Sequence, residues 1–151
     1  MPLSPPPRAW APLPAAGIPD DTVLFDGVCV LCSGWVRFVA ARDGGRFRFV
    51  PVQSPYGRIL AARLGINVDM PESNAVVLGG MASFKSDAAV AVLSLLPSWG
   101  AARVLGWMPR RLRDTFYDRV ARNRYRLFGR TAACMVPPPG LARRVLHEAP
   151  S

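Results

Sequence analysis

An apolar run leads directly into a pair of cysteines between residues 22 and 32, which read Thr-Val-Leu-Phe-Asp-Gly-Val-Cys-Val-Leu-Cys. Thr22 to Phe25 is β-prone and is followed by the turn residues Asp26-Gly27, which predicts a buried strand. From Leu31 to Arg42 the apolar residues recur at i, i+4, i+7 and i+8, as a helix with one buried stripe requires. Cys29 and Cys32 therefore stand at the junction of a strand and the first turn of a helix.

This junction suits thiol chemistry. The thiolate is the nucleophile in disulfide exchange, whereas a free thiol is mostly protonated at neutral pH. Unpaired amides and the positive end of the helix dipole stabilise a thiolate at a helix N-terminus. We expect Cys29 to be the exposed attacking thiol and Cys32, one turn further in, to be the buried resolving thiol. The alternative is two incidental packing thiols, since cysteine is among the most buried residue types.

The segments that follow alternate between strand and helix patterns. They are a strand over 47–52, a helix from Pro55 to Leu64 closed by Gly65, a hairpin of Ala75–Leu78 and Met81–Phe84 around Gly79-Gly80, and a helix capped by Ser86 that runs through Leu96. The order β-α-β-α-β-β-α predicts an α/β fold with a mixed sheet and helices packed on its faces.

The C-terminal third reads as helical. We expect a short apolar helix from Gly100 to Trp107, packed onto the core by Trp99 and Trp107 (a membrane-surface role for these two is the alternative), and a last short helix over 141–147. Between them Pro109 opens a longer helix to about Phe128, whose buried side is predicted to hold Leu112, Phe116, Val120 and Leu127. Another face repeats Arg119, Arg122, Arg126 and Arg130.

The arginine row has two interpretations. Arginine suits bidentate contacts with anions, so the row could bind phosphates or an acidic partner. It could equally be a solvated face, with Asp114 near Arg110 and Asp118 near Arg122 as i,i+4 pairs. We expect no nucleic acid, because net charge alone does not specify such binding.

Composition limits the classes of protein. The chain has 151 residues, half of them hydrophobic, a net charge of +9 and three cysteines. That is one ordinary domain, too apolar for a disordered chain and too poor in cysteine for a disulfide scaffold. No apolar run is long enough to predict a membrane span. Residues 1–20 are expected to form a disordered proline-rich tail without secretory character, which favours the cytoplasm, and 21–147 a single domain.

The chain resembles the DCC family (DUF393) of thiol-disulfide oxidoreductases. The match rests on Phe25-Asp-Gly-Val-Cys-Val-Leu-Cys32, with further likeness at 46–49, Gln53-Ser54, 86–89, 122–126, 128–130 and Cys134, and it covers about 21–147. The resemblance implies a thioredoxin-like fold and a redox role with a disulfide substrate, a thiol reductant and no cofactor. Unlike thioredoxins, the chain has Val30-Leu31 between the cysteines, and Pro71, four residues before the third strand, is not expected to face them.

Further site residues stay open between two interpretations. Asp26 either relays a proton as a general acid or base, or only shapes the turn after the strand. Cys134 is either a second resolving thiol or a packing thiol. With Cys29, Cys32 and His147 it would make a zinc set, but its spacing is unlike that of structural zinc sites, and we expect no metal. A non-enzymatic redox-sensing or interaction module, docking through the arginine row, is the alternative to an enzyme.

Overall fold

The structure is a computed structural model that describes residues 12–69, 71, 73–97, 99–130 and 139–148. It is a mixed α/β fold, as predicted. Its elements are β1 (Leu13–Pro14), β2 (Thr22–Phe25), α1 (Val30–Ala40), β3 (Arg48–Pro51), α2 (Pro55–Leu64), β4 (Ala75–Leu78), β5 (Met81–Phe84), α3 (Lys85–Ser94), a 3₁₀ segment (Gly100–Trp107), α4 (Arg110–Leu127) and α5 (Pro139–Ala142).

The strands form one five-stranded sheet in the order β1-β5-β4-β2-β3. β2 runs parallel to β3, pairing Thr22 with Arg48 and Phe25 with Pro51, while the other neighbours are antiparallel. β2 therefore lies between two partners and is buried along its whole length. The cysteine pair follows its C-terminal end, so a fully buried strand fixes the start of the site.

The core has two layers, one on each face of the sheet. Along β2, Val23 and Phe25 face the layer packed by α1 and α3, and Leu24 faces the layer packed by α2. This alternation follows from the two-residue period of a strand. In α1 the fully buried residues are Val36 and Val39, whereas Trp35 and Phe38 are partly buried against the same layer.

Local turn chemistry is confirmed at the hairpin and at α2. Gly79 and Gly80 have φ of +59° and +77°, the left-handed conformation that glycine adopts without strain. α2 spans the predicted residues, with Ser54 accepting a hydrogen bond from the Gly57 amide at 2.9 Å. A Cβ on Gly57 would stand 1.8 Å from the Pro51 carbonyl oxygen, so only glycine lets α2 approach β3 this closely.

The chain enters the sheet earlier than the boundary expected at residue 21. Leu13 pairs with Ala82 and Pro14 with Met81, so β1 covers the free edge of β5. Ala15 and Ile18 are buried in the α2 layer. Residues 1–11 lie outside the described part. The last helix is also shorter than expected, because residues 144–146 bond to Phe49 as a further edge of the sheet instead of continuing it.

The predicted cap of α3 is wrong. The helix begins at Lys85, and the Lys85 amide donates to the hydroxyl of Ser73 at 2.8 Å. The Ser86 hydroxyl instead donates to the Asp114 carboxylate, which also accepts from the Ser86 amide at 3.3 Å. Oxygens from other parts of the chain thus replace the local cap, which a sequence pattern within the helix does not reveal.

The predicted orientation of α4 is also wrong. Of the four residues predicted for its buried side, Leu112, Phe116 and Leu127 are exposed, with Phe116 at 73 %, and Val120 is partly buried. The only buried residue of α4 is Arg124. Trp107, expected in the core, is 86 % exposed. Trp99 is also exposed, but its ring packs edge-on against Phe38 of α1, with the ring centroids 5.5 Å apart, so packing is confirmed for this tryptophan alone. Among the described residues no helix combines the length and apolarity needed to cross a bilayer.

Polar contacts explain this orientation. Lys85 Nζ lies 2.6 Å from the Asp118 carboxylate, Arg113 lies 2.9 Å from Asp87, and Asp114 accepts from Ser86. These bonds join α4 to α3, so its polar side faces the protein. Asp114 and Asp118 are consequently turned away from Arg110 and Arg122. Bonds between α4 and α3 thus replace the i,i+4 pairs predicted within α4.

Candidate redox site

Cys29 and Cys32 occupy the first turn of α1. Cys29 is the residue that precedes the helix, in extended conformation, and its carbonyl accepts the first helical bond from Ser33 at 3.0 Å. Its sulfur accepts a hydrogen bond from the Cys32 amide at 3.3 Å. Cys29 thus takes the capping role usually filled by an oxygen side chain, and an unpaired amide of the helix end points at its sulfur.

The pKa values of the two thiols are shifted in opposite directions. The hydrogen bond from the Cys32 side chain, aided by the Cys32 amide and the charge of Arg124, lowers the pKa of Cys29 from 9.0 to about 7, against the effects of burial and Asp26. Donating that bond, together with burial and the negative charges of Cys29 and Asp26, raises the pKa of Cys32 far above its ordinary value. The pair therefore shares one proton, held on Cys32, and Cys29 carries the thiolate.

The expected exposure of the two cysteines is wrong, and it is reversed. Cys29 has 0 % exposed surface, whereas Cys32 is partly exposed. The cover over Cys29 includes Gly129 and Arg130, which follow α4 and which we call the covering pair. Arg130 forms a β-bridge with Cys29, and the Gly129 carbonyl accepts from the Val30 amide at 3.2 Å. The more acidic sulfur is thus the closed one.

Asp26 is buried and saturated with hydrogen bonds. Oδ1 accepts from the Val28 amide at 3.2 Å and from Gln53 Nε2 at 2.8 Å. Oδ2 accepts from Arg124 at 3.1 Å and from the Tyr125 hydroxyl. The contact with Val28 is the turn geometry expected after the strand. In the described part of the chain the carboxylate bonds to neither sulfur, and four donors occupy its two oxygens.

Arg124 is the site residue that the sequence pattern did not single out. It is 8 % exposed, and its Nη2 donates to Asp26 and, at 2.8 Å, to the Pro71 carbonyl. Its positive charge compensates Asp26 and helps to lower the pKa of Cys29. The signal available was its position: Arg124 interrupts the spacing of Arg119, Arg122 and Arg126 and falls on the opposite side of the helix.

A cavity of about 80 Å³ opens beside Cys32, large enough for a small chemical group. It is lined by Asp26, Leu31, Cys32, Pro71, Ser73, Asn74, Tyr117, Val120, Ala121 and Arg124. Pro71 therefore does reach the site, contrary to expectation, and its carbonyl accepts a hydrogen bond from Arg124. Burial raises the pKa of Tyr117, whose hydroxyl donates to Asn74 at 3.0 Å.

The arginine row does not converge on the thiols. Arg119, Arg122 and Arg126 point outward and are exposed, and only Arg130 approaches the site, through its backbone bridge to Cys29 and with its guanidinium 5.2 Å from the Tyr125 ring. Cys134 lies outside the described residues, so the third thiol and the zinc set stay untested. Within the described ranges no three His, Cys, Asp or Glu side chains cluster closely enough to hold a metal.

Comparison with known proteins identifies relatives for most of the chain. Residues 23–130 match the family model described as DCC1-like thiol-disulfide oxidoreductase. The uncharacterized protein YuxK of Bacillus subtilis is 37% identical over 131 residues, covering 85% of this chain and 96% of YuxK. A chloroplastic DCC family protein of Arabidopsis thaliana is 39% identical over 115 residues, covering 74% of this chain and 67% of that protein. No solved structure matches.

Proposed function

The chain belongs to the DCC1-like thiol-disulfide oxidoreductase family, and on this premise we propose that Cys29 and Cys32 form a redox-active pair that exchanges electrons with a disulfide substrate. The observation that carries the proposal is the state of Cys29, whose pKa of about 7 makes it substantially ionised at neutral pH. A thiolate next to a protonated thiol is the arrangement that disulfide exchange requires.

The exchange takes two electrons and one proton from the pair and a second proton from the solvent. The Cys29 thiolate attacks one sulfur of the substrate disulfide, forming a mixed disulfide and releasing the first substrate thiolate, which takes a proton. Cys32 then loses its proton and attacks the Cys29 sulfur, forming the intramolecular disulfide and releasing the second substrate thiolate, which is also protonated. The substrate gains two electrons and the protein loses two, which a thiol reductant must restore. No bound cofactor takes part.

Access to Cys29 requires a movement of the chain. Because its side chain has no exposed surface, the covering pair must separate from Cys29 before a substrate can reach the sulfur. Breaking the bond between Gly129 and Val30 is a small change at the end of α4. Asp26, held by four donors, acts in this proposal as a positioning residue that keeps Arg124 beneath the pair, not as the proton relay.

We place the protein in the cytoplasm, where reduced thiols prevail and would regenerate the dithiol. Membership in an oxidoreductase family supports a substrate that carries a disulfide, without indicating which class of molecule carries it.

One observation favours a second candidate, a redox sensor. The sulfur that would react is closed by the covering pair, and the arginine row lies on the same helix end. Oxidation of Cys29 would remove the acceptor of the Cys32 amide and disturb that end of α4. A sensor oxidises once per molecule, whereas an enzyme turns over many equivalents of substrate.

Alkylation across pH 4–10 with peptide mass readout tests the first step on the reduced protein. We expect Cys29 to react, when the covering pair separates from it, with an apparent pKa of about 7, and Cys32 to react little although it is partly exposed, because it stays protonated. Multiple-turnover reduction of a model disulfide tests the enzyme: Cys29→Ser is expected to fall to the uncatalysed rate, and Cys32→Ser to accumulate the mixed disulfide. Cys134→Ser, which removes a thiol outside the pair, is the matched control.

Two results would contradict the enzyme. Cys29→Ser with unchanged turnover would remove Cys29 as the nucleophile. A single equivalent of oxidation without turnover in the intact protein would instead identify the sensor. If Cys134→Ser loses turnover as Cys32→Ser does, the third thiol is a resolving residue as well.

A further inference from the structure

Large apolar side chains stand exposed along the 3₁₀ segment and α4. They are Val104, Leu105, Trp107, Met108, Leu112, Phe116, Leu127 and Phe128. Trp107 and Phe116 are the most exposed of them, at 86 % and 73 %. A groove of about 620 Å³, lined by Leu93, Leu105, Met108, Leu112 and Phe116 among others, continues this surface between α3 and α4. An exposed apolar patch gathered around such a groove marks an interaction surface.

Arginines border the patch. At 100° per residue, Leu112, Phe116 and Leu127 fall on one stripe of α4, and Arg119, Arg122 and Arg126 lie directly beside it. Residues 95–130 hold nine arginines and two aspartates, a net charge of +7 out of the chain's +9. Both aspartates are engaged by α3, Asp114 by Ser86 and Asp118 by Lys85. The outward charge of this segment is therefore positive.

We propose that this surface, the apolar–arginine face, binds the surface of an anionic lipid bilayer. A bilayer is inferred because apolar side chains and arginines lie side by side on this face. A helix that lies in a membrane interface has tryptophan, phenylalanine and leucine on one side and arginine on the flank, where the guanidinium reaches the headgroups while the apolar side chains enter the acyl region. α4 and the 3₁₀ segment present this combination. α4 is held to the protein through its opposite, polar side, and the 3₁₀ segment packs against α3.

Charge argues against the other occupants. A second copy of the chain meeting this face by two-fold symmetry would set one arginine row against another. Nucleic acid would satisfy the arginines but would leave Val104, Leu105 and Leu112 against phosphates. An anionic bilayer satisfies both halves of the face, since each basic residue near such a surface contributes about 1 kcal/mol and the apolar side chains leave water.

Flotation of the intact protein with vesicles tests the proposal. The vesicles are phosphatidylglycerol mixed equally with phosphatidylcholine, and phosphatidylcholine alone. We expect binding to the anionic vesicles only, weakened by salt, with quenching of tryptophan fluorescence by brominated acyl chains that is lost in Trp107→Phe. The double variant Arg119→Gln, Arg126→Gln is expected to bind at least about tenfold more weakly, at about fivefold per charge.

Matched control variants distinguish binding through the apolar–arginine face from non-specific binding to vesicles. Arg37→Gln with Arg143→Gln removes the same charge from exposed positions outside the face, and Ile59→Ala removes an exposed apolar side chain from α2, on the other layer. Both should bind anionic vesicles nearly as the parent does, whereas Trp107→Ala with Phe116→Ala should not. Cys29→Ser should also bind fully, so that failure of the thiol chemistry and failure of this proposal are distinguishable.

Three outcomes would overturn the proposal. The first is absence of binding to anionic vesicles at low salt. The second is equal loss of binding in the face variants and in their controls. The third is a concentration-dependent dimer, or tight binding of an acidic amphipathic peptide in the absence of vesicle binding, because either would assign the face to a protein partner.

Discussion

The first turn of α1 and the long helix α4 both reach the thiol site, but they bury opposite kinds of residue. α1 packs through Val36 and Val39, as its apolar period requires, and its first turn donates one amide, that of Cys32, to the Cys29 sulfur. α4 packs through Arg124, Arg113 and Asp118, and turns Leu112 and Phe116 outward. An apolar stripe therefore distinguishes the two sides of a helix, but it does not decide which side faces the core. The polar side can face inward when residues of other elements form hydrogen bonds and ion pairs with it.

Both the buried side and the C-terminal end of α4 affect the reactive thiol. The buried side of α4 supplies the cation that compensates Asp26 and helps to ionise Cys29, while its end supplies the covering pair over the same sulfur. One helix thus contributes to both the acidity and the accessibility of the thiol.

The largest effect is expected from the buried arginine. Arg124→Met leaves the Asp26 carboxylate buried without its countercharge, which should lower the free energy of unfolding by about 3–5 kcal/mol. Arg126→Met, on the exposed side of α4, should change it by less than about 0.5 kcal/mol. Urea denaturation of the reduced protein measures both. Equal small effects would mean that α4 does not dock through Arg124.

The next effect compares apolar side chains on the two helices. Val36→Ala in α1 removes two buried methyl groups and should cost about 2 kcal/mol. Leu112→Ala in α4 should cost less than about 0.5 kcal/mol, because Leu112 is exposed and alanine is a good helix former. The same denaturation series provides the numbers. A cost for Leu112→Ala near that of Val36→Ala would show that the apolar stripe of α4 is buried after all.

A smaller effect comes from the pH dependence of the pair. Between pH 7 and 9 Cys29 is ionised in the folded protein but protonated in the unfolded chain, so stability should rise with pH by at most about 2 kcal/mol. Above pH 9 the unfolded chain loses the proton that the folded protein retains on Cys32, so stability should fall. Denaturation of the reduced protein at several pH values measures the profile, and Cys29→Ala should abolish the rise. A rise that persists in that variant would assign it to another group.

The smallest effect is expected at Tyr125. Tyr125→Phe removes one of the four donors to Asp26 while Arg124, Gln53 and Val28 remain, so the cost should be about 1 kcal/mol. Thermal or urea unfolding measures it beside Arg124→Met. A cost equal to that of Arg124→Met would mean that the tyrosine is as important as the arginine for neutralising the carboxylate.

Local rules predicted most of the elements. The strand at Thr22–Phe25, the helix at Pro55–Leu64 and the glycine hairpin all occur where the sequence indicated, because turn residues and side-chain periods act over a few neighbouring positions. The cap of α3 is not among them, since Ser73 and Asp114 approach it from 12 and 28 residues away.

The amino-acid sequence alone determined the position of the cysteine pair after a buried strand, the mixed α/β class and the family, because each depends on residues adjacent in the chain. Only the tertiary structure decided which sulfur is closed, which arginine serves the site and which side of α4 faces out. Arg124 meets Asp26 across 98 residues, and Arg130 reaches Cys29 across a comparable span. Such pairings depend on how whole layers pack, and no pattern within one element encodes them.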